Sequence, residues 1–364
     1  MGGPEVKTLT GLRGYAALGV CIFHYTLPWT DYDHWAMPLA QHGNYGVVVF
    51  FVLSGFIMLH VYRSWFDCEV TAAHYGRFMW HRFARIYPLH ILLLFATAAL
   101  IATAWMQQGP FNTPFTFVLN VLLIQGWVHP HGIALSWNAP AWTISIEFFL
   151  YMLFPFLTVV VRRTFILTLC GLVALVILGG GYRFGLMHYS MLFVLGAVTC
   201  EMFHRARTSS SWPFDAIVLA AGGSFIWWVF AGSFKPYSLP CLASAALIFG
   251  LCREGPIARW LVGNPVAVFL GRISYALYLS HGIVFAMLTT LTVEAMTGRP
   301  GSIGSALGRP VAELPLSVTV AIAIVVATAL RYGFEQPVRL ALRALRPAVK
   351  GAEIAIPGRL ALRA

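Results

Sequence analysis

The stretch 44-NYGVVVFFVLSGFIMLHVY-62 runs for nineteen residues without an Asp, Glu, Lys or Arg. About 20 apolar residues in helical conformation cross a hydrocarbon layer roughly 30 Å thick, so this stretch predicts a transmembrane helix. Runs of similar character recur near residues 9–28, 86–106, 141–161, 164–182, 186–203, 214–232, 237–252, 265–291 and 314–334. The sequence therefore predicts an all-α integral membrane protein, a polytopic bundle of about ten transmembrane helices.

The composition points to a membrane and away from nucleic acid. Apolar residues make up 59% of the 364 and charged residues only 10%, whereas soluble domains carry about 25% charged residues. The net charge is +11, but the basic residues lie in short loops between the apolar runs, as the positive-inside rule requires. We therefore expect membrane lipids as partners and no nucleic acid. The six cysteines show no metal or disulfide spacing and are predicted to be small buried side chains.

The apolar stretch 115–128 is too short to predict a transmembrane helix, because segments of about 10–14 residues are more often re-entrant or interfacial. If it does not span and the N-terminus is cytoplasmic, the outward-facing basic residues are only Arg183, Lys235, Arg299 and Arg309. If it did span, the charge asymmetry would largely collapse. We therefore predict a short re-entrant or interfacial segment near 115–140 and two cytoplasmic termini. Residues 1–340 would form the membrane domain, and residues 341–364 a basic tail along the inner surface.

Ionisable side chains inside the spans are candidates for function, because burying them in a membrane is costly. Arg13 and His24 are eleven residues apart, which places them within roughly 20° of one helix face and about 16 Å apart along the axis. Glu147, entering from the outside, would lie at about the same depth as His24, and His281 is also near mid-depth. We expect these groups to meet at one level. A structural role for each histidine and for Glu147 remains an open alternative.

A basic cluster at Arg77, His81, Arg82 and Arg85 precedes the third apolar run. Arg82 and Arg85 are three residues apart and so share a helix face, where guanidinium groups suit the forked recognition of phosphates. With Arg13 they would form an anion site at the inner surface. This site would bind one end of a long donor, and the reactive group at the other end of the donor would reach His24. Orientation in the membrane would also explain these arginines, and that alternative stays open.

Six motifs follow one another along nearly the whole chain: Arg13-x10-His24, Gly46-Val-Val48-Val-Phe50-Phe51-Val-Leu-Ser54-Gly55-Phe56, Arg82-x-x-Arg85-x-Tyr87-Pro88, Trp142-x-x-Ser145-x-Glu147, Ser274-Tyr275-x-x-Tyr278-x-x-His281 and Tyr332-x-x-Glu335-x-Pro337. Their order resembles the membrane-bound acyltransferase-3 family. The resemblance implies a helical membrane enzyme that acylates, most often acetylates, sugars of surface polysaccharides and related acceptors. The family's catalytic Arg-x10-His signature falls on Arg13 and His24. Val48 stands where an acidic residue is common in the family, and Glu147 is its expected substitute.

These observations together predict an O-acyltransferase in a bacterial plasma (inner) membrane. Acetyl-CoA would be the donor co-substrate, bound by Arg13, Arg82 and Arg85, with no permanently bound cofactor; a carbohydrate or glycolipid hydroxyl would be the acceptor. The catalytic residues would be His24, Glu147 and Arg13, with His24 as general base and Glu147 orienting its ring. Substrate contacts or oxyanion donors are expected from Trp142, Ser145, Tyr275, Tyr278 and His281. A covalent acyl-His24 intermediate remains an alternative to direct transfer.

Two other classes of protein remain in view. Intramembrane His, Glu and Arg residues also form proton relays, so a proton-coupled transporter is the main alternative. The sequence shows neither an internal repeat nor matching broken helices, which are the usual signs of such transporters. A metal site at His129 and His131 lacks a cysteine and an obvious third ligand, and we predict no metal.

Overall fold

Helices form all of the regular secondary structure in the described part of the chain. The computed structural model describes residues 5–26, 42–66, 69–106, 108–127, 131–178, 185–206, 210–231, 238–297 and 315–345. Within these ranges the α-helices are α1 Lys7–Thr26, α2 Tyr45–Tyr62, α3 Ala72–Ala102, α4 Pro114–Val121, α5 His131–Ala134, α6 Ala141–Arg163, α7 Phe165–Leu178, α8 Leu186–Arg205, α9 Trp212–Ala231, α10 Ser238–Leu251, α11 Pro256–Leu261, α12 Pro265–Thr297, α13 Leu316–Leu330 and α14 Gln336–Ala344. A 3₁₀ turn follows α2 at Arg63–Phe66, and a π-helical turn at Arg331–Glu335 joins α13 to α14.

The predicted class of fold is confirmed, since each predicted span coincides with a helix. Among the described residues, seven helical segments are long and apolar enough to cross a membrane: Tyr45–Phe66, Ala72–Ala102, Ala141–Arg163, Leu186–Arg205, Trp212–Val229, Pro265–Leu291 and Leu316–Ala344. The other three predicted spans correspond to α1, which carries Lys7 and Arg13, and to α7 and α10, each 14 residues long. The number of about ten spans therefore remains a prediction.

The short segment near 115–140 is not a spanning helix. α4 contains eight residues and is only about 12 Å long, well below the thickness of a hydrocarbon core. Thr113 caps its start and Pro114 occupies its first turn. The turn after it is fastened to α6, because the Trp127 indole donates a hydrogen bond to the Ser145 carbonyl at 3.0 Å.

The basic cluster lies inside a helix and not in the loop that precedes it. α3 begins at Ala72, where Thr71 accepts a hydrogen bond from the His74 amide, and continues through Pro88 to Ala102. The predicted span began at residue 86, because charged residues interrupt the apolar run before that point. The additional turns of α3 hold Arg82 and Arg85 in fixed positions on one face of the bundle.

Small residues allow the central helices to approach each other closely. A Cβ atom at Gly14 of α1 would collide with the backbone of α12 near Gly271, and one at Gly271 would collide with the Thr10 carbonyl. Gly55 and Gly196 make the same reciprocal contact between α2 and α8. Glycine at such contacts allows the backbones to pack without intervening side chains, as it does between membrane helices generally.

An ion pair also joins the starts of α1 and α12. Arg272 Nη2 lies 3.0 Å from Glu5 Oε2, and the Thr10 hydroxyl donates to the other oxygen of Glu5 at 3.1 Å. Partial burial raises the pKa of Glu5, but the bonds from Arg272 and Thr10 outweigh this effect and leave the pKa below its usual value. The pairing fixes α1 against α12.

Candidate active site

A cavity of about 230 Å³ lies between α1, α2, α3, α6 and α12. Its walls are formed by Arg13, Val47, Phe50, Phe51, Leu53, Ser54, Ile57, Met58, Arg82, Arg85, Ile86, Thr143, Ile144, Glu147, Tyr151, Ser274, Tyr275 and Tyr278. The three arginines predicted to form an anion site therefore converge on one space. Five of the six sequence motifs contribute residues to its walls. These motifs are far apart in the sequence because each lies on a different helix of the bundle.

Arg82 is held in an aromatic cage at the arginine end of the cavity. Its side chain is 8% exposed, and its guanidinium carbon lies 5.0 Å from the Tyr62 ring centre and 5.6 Å from that of Tyr151. Arg82 Nη2 donates to the Tyr62 hydroxyl at 2.6 Å. No carboxylate pairs with Arg82 in the described part of the chain, and its buried Nε has no hydrogen-bond partner. The cage positions a positive charge without neutralising it.

The positive charge of Arg13 is likewise not neutralised by an ion pair among the described residues. Arg13 Nη2 donates to the Gly271 carbonyl at 3.0 Å, and the buried Nε has no partner among the described residues. Arg85 differs, because its Nη1 lies 3.4 Å from Glu335 Oε1, although Glu335 is bonded more closely to Arg331 at 2.6 Å. Each of the three arginines thus retains donor capacity toward the cavity.

Glu147 is the carboxylate of the cavity wall. Its Oε1 accepts a hydrogen bond from the Ser54 hydroxyl at 2.7 Å and another from the Tyr151 hydroxyl. Three guanidinium groups and one carboxylate line the cavity, so its lining carries a net positive charge. A low-dielectric space with excess positive charge favours an anionic ligand.

Tyr278 lines the cavity one turn of α12 beyond Tyr275. The Thr143 hydroxyl donates to the Tyr278 hydroxyl at 3.1 Å, and the Phe50 ring packs edge-on against Tyr278 at 5.4 Å. Tyr275, one turn nearer the arginines, donates to the Ile86 carbonyl at 2.5 Å. On its far side Tyr278 lies against His281, with 5.9 Å between the ring centres. Tyr278 is therefore a wall common to the cavity and to the histidines beyond it.

His24 and His281 form a hydrogen-bonded pair. His281 Nδ1 lies 2.7 Å from the Tyr278 carbonyl and His24 Nδ1 lies 2.9 Å from the Val20 carbonyl. A carbonyl can only accept, so Nδ1 carries the proton in both neutral rings. His281 Nε2 is then an acceptor, 3.2 Å from His24 Nδ1. This assignment leaves Nε2 of the half-buried His24 with a free lone pair.

The predicted contact between His24 and Glu147 is absent. Thr143 and Tyr278 mark a common level on α6 and α12, which run in opposite directions. From that level Glu147 lies one turn, about 6 Å, toward the arginines, whereas His281 lies about 4.5 Å the other way. His24 stands beside His281 and is therefore about 10 Å from Glu147 along the bundle axis. The structure therefore does not bring Glu147 to His24 as expected, and the side chain hydrogen-bonded to the His24 ring is that of His281.

Two further candidates have other partners. The Ser145 hydroxyl is fully buried and donates to the Leu123 carbonyl at 2.7 Å, so it holds the turn after α4 and does not line the cavity. Trp142 packs against Tyr189 with 4.9 Å between ring centres and is also not part of the cavity wall. Of the predicted substrate-binding residues, only Tyr275 and Tyr278 line the cavity. His281 contacts His24 instead.

Sequence reasoning missed several groups around the arginines. Tyr151 follows Glu147 by four residues, and that spacing could have revealed its bond to the carboxylate. Nothing in the sequence indicated that Tyr62 contacts an arginine, because it lies at the end of an apolar run. Arg339 was assigned to the end of the membrane domain and Arg343 to the basic tail, although the same four-residue spacing places both on one face of α14.

A second cluster of titratable groups lies at the ends of α2 and α8. The ligand atoms of His60, Cys200 and His204 all lie within 4.8 Å of one another, an arrangement that could hold a metal ion. Glu201, between the two α8 ligands, already pairs with Arg63 and Arg205, whose charges disfavour another cation. The absence of a metal stays a prediction, and His129, considered earlier, lies outside the described residues.

The cavity and the histidine pair lie within a region that matches a known protein family. The model of the family described as "Acyltransferase domain" matches residues 6–330, from the residue before α1 to the last residue of α13. The matched region includes every residue that lines the cavity and both histidines. The chain belongs to the acyltransferase-3 family, and its described part contains helices that are long and apolar enough to span a membrane.

Relatives with curated names agree with this class. Acyltransferase MdmB of Streptomyces mycarofaciens is 31% identical over 164 residues, covering 44% of this chain and 41% of the relative. A Staphylococcus aureus (strain COL) protein named "Putative O-acetyltransferase" is 22% identical over 337 residues, covering 79% of this chain and 52% of the relative. The chain thus spans about half the length of the relatives it matches. No match was found among solved structures.

Proposed function

We propose that this protein transfers an acyl group, in the first instance acetyl, from acyl-CoA to a hydroxyl group of a carbohydrate or glycolipid. The observation that carries the proposal is the positively charged cavity, whose wall residue Tyr278 lies directly against the His24–His281 pair. This arrangement suits a donor with phosphates at one end and a thioester at the other. The names of the relatives, acyltransferase and O-acetyltransferase, support the same reaction class.

In the proposed complex Arg13, Arg82 and Arg85 bind the negatively charged part of the donor. Arg82 and Arg13 carry unneutralised charge, so a phosphate here would gain charge-assisted hydrogen bonds without displacing a carboxylate. Glu147 keeps a place in the cavity wall, where its bonds to Ser54 and Tyr151 fix the shape of the wall near the thioester arm. We assign Glu147 a positioning role on this basis.

His24 is the proposed general base. Its free Nε2 would take the proton from the acceptor hydroxyl as the hydroxyl oxygen attacks the thioester carbonyl carbon. The carbon–sulfur bond then breaks, CoA leaves as a thiolate, and the imidazolium returns the proton to the sulfur. His281 would hold His24 in the required tautomer and accept from Nδ1–H of the imidazolium, the part that the third member of a catalytic triad performs. The Tyr278 hydroxyl would donate a hydrogen bond to the developing oxyanion.

The proposed setting is the bacterial inner membrane, with both termini and the arginine end of the cavity facing the cytoplasm. The excess of Lys and Arg in the predicted inner loops supports that orientation. A cytoplasmic donor would then reach the arginines first, and the acceptor would approach His24 from the opposite face. No observation favours the transporter alternative over an enzyme of this family.

The direct test uses purified protein, acetyl-CoA labelled in the acetyl group and a panel of mono- and disaccharides. Release of free CoA together with label in a saccharide supports the proposal. The proposal would be contradicted if the label stayed on CoA with every acceptor while proteoliposomes without CoA accumulated a solute in response to a proton gradient.

A further inference from the structure

The amphipathic helix α14 places two arginines beside the arginine end of the cavity. Arg339 and Arg343 are four residues apart and so share one helix face. The Trp80 indole donates to the Leu342 carbonyl at 2.9 Å, which fastens the last turn of α14 to α3 two residues before Arg82. The two arginines therefore extend the group formed by Arg82 and Arg85.

Neither Arg339 nor Arg343 has a partner in the described part of the protein. The Nε atom of each is buried and makes no hydrogen bond, although both side chains are only half-buried overall. No carboxylate forms an ion pair with either guanidinium among the described residues. Withdrawing part of such a group from water without a partner is costly, and a bound anion would offset that cost.

The surrounding charges strengthen this requirement. Arg339 lies within electrostatic range of Arg85 and Arg331, and Arg343 within range of Arg82 and Arg85. Glu335 is the carboxylate in that group, and it is already bonded to both Arg85 and Arg331. Several like charges held around one carboxylate repel each other, and a ligand with more than one negative charge relieves the repulsion.

We propose that Arg339 and Arg343 form an outer phosphate site, which binds the nucleotide end of the acyl-CoA donor. The inference rests on the proposed function. The cavity, at about 230 Å³, is smaller than the roughly 300–1,000 Å³ that encloses a drug-sized ligand, so it holds the thioester arm as far as the arginine end and leaves the nucleotide end of the donor outside. The phosphates of a donor seated in this way remain at the mouth, where α14 lies. An anionic lipid headgroup offers the same phosphate chemistry and is the competing source.

The test measures dissociation constants of CoA and of pantetheine, the thiol arm without phosphates, for the full-length protein in nanodiscs of phosphatidylcholine alone. The variant is Arg339→Gln with Arg343→Gln, and the matched control is Arg259→Gln, an exposed arginine of α11 outside the cluster. We expect about 100-fold weaker CoA binding in the double variant, because two charge-assisted contacts are lost. Pantetheine binding should be unchanged in all three proteins, which also reports an intact cavity.

The outcomes are distinct. Native CoA affinity in the double variant would overturn the outer site alone, and it is the result expected if the arginines serve a lipid headgroup. Equal weakening of CoA and pantetheine would show a structural role for the arginines and would also overturn the site. Failure of the native protein to bind CoA would remove the proposed donor, and the outer site with it.

Discussion

The free nitrogen of His24 depends on a neighbour in another helix. The Nδ1–H of His24 is shared between the Val20 carbonyl and His281 Nε2, and His281 is itself held by the Tyr278 carbonyl. Replacing His281 should therefore slow the chemical step without changing how the donor binds. The effect is confined to orientation, because His281 does not line the cavity.

For His281→Phe we expect kcat to fall at least tenfold while KM for acetyl-CoA stays within about twofold, as expected when a contact matters mainly in the transition state. Tyr25→Phe is the matched control, since it removes the bond from the Tyr25 hydroxyl to the His281 carbonyl but leaves both imidazoles in place. The double variant His24→Ala, His281→Phe should be no slower than His24→Ala alone. Losses that multiply would contradict a shared role.

Arg82 and Arg85 should act on donor binding more than on chemistry. Phosphate contacts made equally in the ground and transition states raise KM and leave kcat almost unchanged. We expect Arg82→Gln and Arg85→Gln to raise KM for acetyl-CoA at least tenfold, and Arg77→Gln, on the same helix but outside the cavity wall, to have little effect. A fall in kcat at constant KM would argue against phosphate binding at these positions.

The sequence could predict relative positions only for residues that lie on the same helix or are oriented by the membrane. Arg82 and Arg85 share a face through their spacing alone, and the positive-inside rule brings Arg13 to their level. The relation of His24 to Glu147 could not be obtained in this way, since a depth estimate carries an error of a helical turn. Ser145 shows the same limitation, because nothing local reveals that its partner is the Leu123 carbonyl.

Among the elements, the contact of α2 with α8 depends most directly on side-chain size. A Cβ atom at Gly196 would collide with the Val52 carbonyl, and backbone cannot move aside as a flexible side chain can. Gly196→Ala should lower the thermal unfolding midpoint in detergent by several degrees, since overpacking costs about 1–3 kcal/mol. Gly171→Ala in α7, where a Cβ meets open space, is the matched control. Equal midpoints for both variants would contradict this packing.

The elements themselves were largely predictable, and their ends were not. Apolar runs indicate helices reliably because the membrane requires every backbone group to bond internally. The start of α3 at Ala72 was missed because its early turns are rich in basic residues. The predicted boundary between residues 340 and 341 falls inside α14. The polar composition of this helix is typical of a tail, and nothing in the sequence indicates that it packs against Trp80.

For the molecule as a whole, the orientation in the membrane rests on charge asymmetry. Single-cysteine variants in a background without native cysteines can test it with a maleimide that does not cross membranes. Arg163→Cys, at the end of α6, should be labelled only after the inner face is exposed, whereas Gln108→Cys should be labelled in intact cells. Both positions are exposed, so access to the probe is matched. The reverse pattern would mean that the arginines face outward and the donor cannot be cytoplasmic.

The most direct test of the account is the turnover of purified His24→Ala beside that of the native protein, with CoA affinity measured on the same samples. The matched variant Cys21→Ala changes a buried neighbour on α1 without touching either imidazole. The account predicts that His24→Ala binds CoA with native affinity but releases CoA from acetyl-CoA about 10²–10⁴-fold more slowly, the usual loss for a general base. Near-native turnover in His24→Ala would contradict it.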